Sequence, residues 1–167
     1  MYDELTEVDI KKMEEEIEYR ECVLGPKLLA EMSRTREYGD LSENAEYKEA
    51  KREKRRNEGR IRYLKAMIRT AHVIEVKQQE GRVALFDIVT IFNEKMGKEK
   101  KIQLVTTLRQ NALVGLVSKE SPLGEALMGR AVGERVLVRV SEDMSYYVRI
   151  LSVEHGSDDP NIPISGY

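Results

Sequence analysis

Two carboxylates three positions apart, Asp40 and Glu43, lie in the string Gly39-Asp40-Leu41-Ser42-Glu43-Asn44-Ala45-Glu46-Tyr47, between two long helical stretches. Carboxylate oxygens are the hard donors that Mg²⁺ takes. Because that ion usually keeps several waters, one or two protein carboxylates suffice when another molecule supplies the remaining ligands. Asp40 and Glu43 are therefore candidate metal ligands at a hairpin tip. A structural reading fits the same residues: Gly39 suits the left-handed position that ends a helix, and Asp40 with Glu43 has capping-box spacing. Both acids would then satisfy free backbone N–H groups and the positive end of a helix dipole. The two readings are compatible, since a capped turn is also a rigid platform.

Lys48, Lys51, Arg52, Lys54, Arg55, Arg56 and Arg60 crowd the arm just past this turn, against Glu49, Glu53 and Glu58, and Arg34 and Arg36 face them from the other arm. Such a strip could hold an RNA or DNA phosphate backbone behind the acidic tip. It also fits an ordinary solvated helix face. Glu14, Glu15, Glu16, Glu18 and Glu21 lie near the base of the rod, opposite Arg62, Lys65 and Arg69, where pairing between arms neutralises them.

The elements that must position these groups follow from periodicity. Residues 6 to about 74 read as helix, opened by a Thr6/Asp9 capping box with Leu5 and Ile10 as hydrophobic staple. Ile10, Met13, Ile17, Leu24, Leu28 and Met32 mark one apolar seam; Tyr47, Ala50, Ile61, Leu64, Ile68 and Ala71 mark the returning one. Lys54 and Asn57 fall on that second stripe, so the seam should weaken near the turn. Pro26, after Gly25, predicts a kink. Roughly 30 residues per arm give an antiparallel rod on the order of 45 Å long.

After Glu75 the period changes. Lys77–Gly81 reads as a linker, followed by strands at Val83–Phe92, Ile102–Leu108, Leu113–Val117, Val136–Val140 and Tyr146–Val153. Ser121-Pro122 opens a short helix running to about Gly129. The expected fold class is α+β: a helical hairpin over 1–76, a linker at 77–81, a compact domain over 82–154, and a loosely ordered tail over 155–167.

Charged residues make up 35% of the 167 positions, tryptophan is absent, and the net charge is −2. That balance suits a long exposed helical element and implies no global attraction to nucleic acid or membrane. The single cysteine, Cys22, excludes an internal disulfide and a cysteine-cluster zinc site, and His72 and His155 have no metal-spaced partners. No apolar run is long enough to span a bilayer and the first residues do not form a signal peptide, so a cytoplasmic protein is expected.

The tip string, followed by Glu58-Gly59-Arg60-Ile61, resembles the core signature of the Gre (GreA/GreB) family of bacterial transcript-cleavage factors. Ser121-Pro122-Leu123-Gly124-Glu125-Ala126-Leu127-Met128-Gly129 and Val132-Gly133-Glu134 are similar to that family's C-terminal domain. The resemblance implies an FKBP-like C-terminal domain that docks on bacterial RNA polymerase while the coiled coil enters the secondary channel. There Asp40 and Glu43 would help place a second Mg²⁺, shared with the polymerase active site, and a water. Ser42 would contribute to the tip's action, and backtracked nascent RNA would be hydrolysed. Arg34, Arg36, Lys48, Lys51, Arg52 and Arg55 would form the RNA-proximal basic patch. The chain itself would be no enzyme: it would act as a monomer, with no membrane partner, and stimulate the polymerase's own nuclease.

Two departures bear on docking. Leu108-Arg109-Gln110-Asn111-Ala112 stands where the family usually has an acidic stretch, and Ser141-Glu142-Asp143-Met144 replaces a common Pro-Gly turn. Two other classes of function stay open beside the one the resemblance implies, the first suggested by its FKBP-like fold. One is a prolyl isomerase, which needs an aromatic-lined pocket from Phe86, Phe92, Tyr146 and Tyr147. The other is a polymerase regulator that blocks the channel without aiding cleavage.

Overall fold

The computed structural model describes residues 3–37, 39 and 44–166. They form two units: Ile10–Ala71, and the segments Asp3–Asp9 and His72–Gly166 together.

Helix α1 spans Glu7–Tyr19, α2 Gly25–Arg36 and α3 Ala45–Thr70. The expected capping box opens α1. The Thr6 N–H donates to Asp9 Oδ2 at 3.1 Å and the Asp9 N–H to Thr6 Oγ1 at 3.3 Å, satisfying two of the helix's orphan donors. At Gly25-Pro26 the chain forms a π-helical turn, Arg20–Leu24, between α1 and α2. Pro26 has no N–H for the carbonyl four residues back, and its ring crowds that carbonyl. Widening the turn by one residue resolves the conflict, because the Gly25 N–H reaches back five residues to Arg20 O. A Cβ at residue 25 would sit 2.9 Å from that oxygen, which explains the glycine.

The two arms are antiparallel. Partner numbers fall along α3 as they rise along the first arm, from Glu16–Arg60 and Arg20–Asn57 to Thr35–Asn44. Met13, Ile17, Ala50 and Leu64 fill the seam, as the apolar stripe predicts. Where the sequence suggests a weak seam, the arms are joined by polar groups. Asn57 and Arg60 are only 5% and 4% exposed. Arg20 Nη1 donates to Asn57 Oδ1 at 3.0 Å, and Asn57 Nδ2 donates to Arg20 O at 3.3 Å. Arg60 grips Glu16 with two hydrogen bonds of 2.8 and 3.1 Å, and Arg20 adds a third at 2.7 Å. Burial pushes the Glu16 carboxyl up, but the hydrogen bonds from Arg60 and Arg20 outweigh it and hold the group below its ordinary value. Nearer the base, Lys65 pairs with Glu21 at 2.5 Å, one of the neutralising contacts between arms that the charge pattern suggests.

The second unit pairs β1 (Glu4–Leu5) with β2 (His72–Val73) in parallel. Its main sheet contains β3 (Ile88–Asn93), β4 (Lys98–Val105), β5 (Leu116–Ser118), β6 (Arg135–Arg139) and β7 (Ser145–Glu154), in the order β5-β4-β3-β7-β6. Only β4 and β5 pair in parallel. Helix α4, Pro122–Leu127, opens on Ser121, whose Oγ accepts from the Gly124 N–H at 3.0 Å. Val89, Ile91, Ile102, Leu104, Val136, Val138, Val148 and Ile150 alternate onto one face and meet Leu127 of α4 in the core. A bulge between Thr90 and Ile91 skips Leu151 in the pairing with β7, so the inward position moves from Ile150 to Val153 and Leu151 faces solvent. The unit is α+β, as expected. The boundaries differ from the sequence reading: residues 83–87, residues 106–109 and Ala112–Val114 form turns and 3₁₀ segments rather than strand. Strand β4 begins earlier, at Lys98, where polar residues 98–101 pair with β3, and α3 ends at Thr70, before β2.

The tail, expected to be loosely ordered, is tied into this unit by Arg109. This side chain is fully buried, with its guanidinium 5.2 Å from the centre of the Phe86 ring. Its Nε lies 2.5 Å from Asp9 Oδ1, and its Nη1 donates to the Asp159 carbonyl at 3.1 Å. Nη2 lies 2.5 Å from Asp158 Oδ1, an ionic contact whose angles miss hydrogen-bond geometry. Gly156 and His155 converge on buried Asp87, through the Gly156 N–H at 3.2 Å and His155 Nδ1 at 3.1 Å. The Ser165 N–H donates to Leu108 O at 2.7 Å.

Candidate functional site

Asp40, Ser42 and Glu43 lie outside the described residues, so the site is approached from what flanks them. Gly39 has a φ of +99°, a backbone that favours glycine. On the other side Asn44, with extended backbone, is the N-cap of α3: its Oδ1 accepts from the Tyr47 N–H at 2.9 Å. Its Nδ2 donates to Thr35 O at 2.7 Å, which binds the start of α3 to the last turn of α2. Thr35 is itself buried and returns its hydroxyl to Glu31 O and Met32 O. The N-cap of α3 is thus Asn44, and the capping reading of Asp40 with Glu43 lies outside the described residues. A single Asx side chain does both jobs, capping one arm and tying down the other.

The basic strip has two kinds of member. Arg36, Lys48, Lys51 and Arg55 are exposed and form no ion pair with a described residue. Arg34 lies 2.5 Å from Glu31 and 4.0 Å from Glu46, while Arg52 lies 3.7 Å from Glu49. The hydrogen bond from Arg34 holds the Glu31 carboxyl below its ordinary value. Lys54 and Arg56 are similarly engaged by Glu58 and Glu53, and Arg60 belongs to the buried seam. Alternating acids thus moderate the positive field of the arm. Exposed pairs of this kind contribute only ~0.2–1 kcal/mol each, so they are readily exchanged for a phosphate. Among the described residues no group of three or more His, Cys, Asp or Glu side chains could hold a metal ion.

In the second unit a cavity of about 250 Å³ is lined by Ile74, Val76, Val83, Leu85, Met128 and Lys119, among others. No aromatic ring lines it; Phe86 is fully buried beneath Arg109. This cavity is therefore not the aromatic-walled pocket that prolyl isomerisation needs. Cys22 is exposed on the π turn. No helix among the described residues is long and apolar enough to cross a membrane.

Two family models match this chain: the N-terminal model of transcription elongation factors over residues 4–73, and the GreA/GreB C-terminal model over residues 78–155. The chain belongs to the GreA/GreB family of transcription elongation factors. Transcription elongation factor GreA of Caldanaerobacter subterraneus subsp. tengcongensis is 39% identical over 137 residues, covering 81% of this chain and 87% of that protein. GreA of Neorickettsia sennetsu is 39% identical over 144 residues, covering 86% and 90%, and GreA of Agrobacterium fabrum is 33% identical over 153, covering 91% and 96%. The family resemblance read from the tip and from Ser121–Glu134 holds over nearly the whole chain.

Proposed function

We propose that this elongation factor binds bacterial RNA polymerase in the cytoplasm, extends its helical hairpin into the secondary channel and stimulates cleavage of backtracked RNA. The observation that carries this reading is the cap at α3. Asn44 caps α3 and ties its start to Thr35 of α2, so the two antiparallel arms are joined on either side of the string that holds Asp40 and Glu43. Their carboxylate oxygens are donors of the right class for Mg²⁺. Two donors are an incomplete set, so the remaining ligands would come from the polymerase active centre. Bound there, the ion supplies charge stabilisation and an acidified water for phosphodiester hydrolysis.

The chain's own contribution is presentation. Asn44 fixes the start of α3 against Thr35, which joins the two arms that lead to and from the tip string. Ser42, between the two acids, would orient a water or phosphate oxygen. The exposed cations Arg36, Lys48, Lys51 and Arg55, which form no ion pair with a described residue, would hold the RNA backbone, with Arg34 and Arg52 released from their surface pairs. The protein acts as a monomer and leaves the bond-breaking chemistry to the polymerase.

The test is a purified backtracked elongation complex with Mg²⁺. Wild type should shorten the RNA and restore elongation. Asp40→Ala/Glu43→Ala should bind equally well and lose the stimulation. Full shortening by this double variant overturns the reading, and slowed nucleotide addition without shortening would instead mark a channel-blocking regulator.

A further inference from the structure

Among the described large apolar side chains outside the core, Leu113 is the most exposed, at 97%, and its neighbour Val114 is 67% exposed. They occupy a 3₁₀ turn, Ala112–Val114, that leads into edge strand β5. The turn is tightly specified. Asn111 Oδ1 accepts from the Leu113 N–H at 3.1 Å, the Val114 N–H donates to Asn111 O at 3.2 Å, and Asn111 and Leu116 exchange backbone hydrogen bonds of 2.9 and 3.0 Å. Gly115 closes it at φ +77°, where a Cβ would meet Lys101 O at 3.1 Å. A turn held this firmly has its conformation set by Asn111 and Gly115, and nothing in its fold requires aliphatic side chains at the tip. Water is a poor neighbour for them.

We infer that Leu113 and Val114 form a preorganised apolar knob that seats in an aliphatic cleft on a protein partner. The inference rests on the function proposed above, in which that partner is RNA polymerase. Aliphatic side chains neither stack on bases nor pair with phosphates, so nucleic acid is not the occupant. Two side chains offer far less than the ~800 Å² per partner that a stable dimer needs, so the knob is an anchor inside a larger interface and not a self-association face. Exposed Lys100 and Lys101 lie alongside on β4. Lys101 is 3.8 Å from Glu154, whereas Lys100 has no ion pair to a described residue and favours a cleft with an acidic rim. Anchors of this kind, rigid before binding and buried after it, carry a disproportionate share of interface energy.

The experiment compares wild type, Leu113→Ser and Leu113→Ser/Val114→Ser for polymerase affinity by fluorescence anisotropy and for RNA shortening at saturating protein. Thermal unfolding should be unchanged, because the replaced atoms touch little. The double variant should bind about tenfold or more weakly, from the lost burial of two aliphatic groups, and cleave at the wild-type rate once saturated. Binding within twofold of wild type overturns the knob while leaving the proposed function standing. A wild type that does not bind polymerase overturns both. Concentration-dependent dimers of wild type that Leu113→Ser abolishes would make the occupant a second copy, and would also overturn the assignment.

Discussion

Arg109→Met tests the largest energetic claim made for the second unit. Methionine keeps the aliphatic stem against Phe86 and removes the guanidinium, leaving Asp9 Oδ1 and Asp158 without their cation. Removing one partner of a buried ion pair costs ~3–5 kcal/mol, because the other charge stays buried. Asp158 retains 20% exposure and can recover some hydration, whereas Asp9 has none. The lower end of that range, about 3 kcal/mol, is therefore expected. This is a large fraction of a domain's ~5–15 kcal/mol total. Asp9→Asn in the same background removes the stranded charge while keeping an oxygen for the Thr6 N–H. The double variant should accordingly be more stable than the sum of the two single losses by at least ~1 kcal/mol. Urea unfolding of the full chain gives the free energies, and hydrogen exchange at the start of α1 locates the loss. If Arg109→Met costs less than about 1 kcal/mol, the guanidinium is not holding this unit together and the reasoning fails.

Other expectations are simpler. Asn44→Ala removes both the α3 cap and the tie to Thr35, and should cost about 1–2 kcal/mol by chemical denaturation, with faster amide exchange at Tyr47. Gly124→Ala would put a Cβ 2.0 Å from the Ser118 carbonyl oxygen; the obstacle is backbone, so ~1–3 kcal/mol should be lost and α4 displaced from the sheet. Glu16 has a folded pKa below its ordinary value. Its stabilising contribution is therefore present above the ordinary carboxylate range and disappears as pH falls through the depressed folded value. Glu16→Gln should flatten the acid limb of helical-unit stability measured by circular dichroism, and an unchanged limb would exclude this carboxylate as its source.

Local signals were read well from the sequence. The Thr6/Asp9 box, the apolar stripe through Met13, Ile17 and Leu64, and the Pro-initiated α4 each depend on residues within a few positions of one another. The misses share a cause. Arg60 looks like part of a solvated basic face, and Asn57 like a gap in the seam, until Glu16 and Arg20 face them across the hairpin, and the π turn depends on a hydrogen bond five residues long that no four-residue template contains. Asn44 was passed over as a cap because the acid pair at Asp40 and Glu43 also has capping-box spacing. Arg109 was the least accessible. Its partner Asp9 is 100 residues away, and its other acids lie in a tail whose Gly-Pro-Asp-Ser composition reads as disorder. At the site itself the sequence supplied the residue types and the family, whereas the division of the basic strip into engaged and unpaired members emerged only from the contacts.

The attachment of Asp9 to Arg109 and the tail has a consequence for biosynthesis. The helical hairpin is encoded between Asp9 and His72, both of which belong to the sheet unit. A nascent chain therefore exposes the first strand of that unit, then the whole rod, then the remaining strands, and Asp158 and Asp159 after them. The hairpin rests on contacts close in sequence and can form while synthesis continues, whereas the sheet unit must wait for its late residues. Until they leave the ribosome, Asp9 and Arg109 remain hydrated and Phe86 lacks its lid. The rod is finished first, and the sheet unit is completed only once Asp158 and Asp159 have emerged.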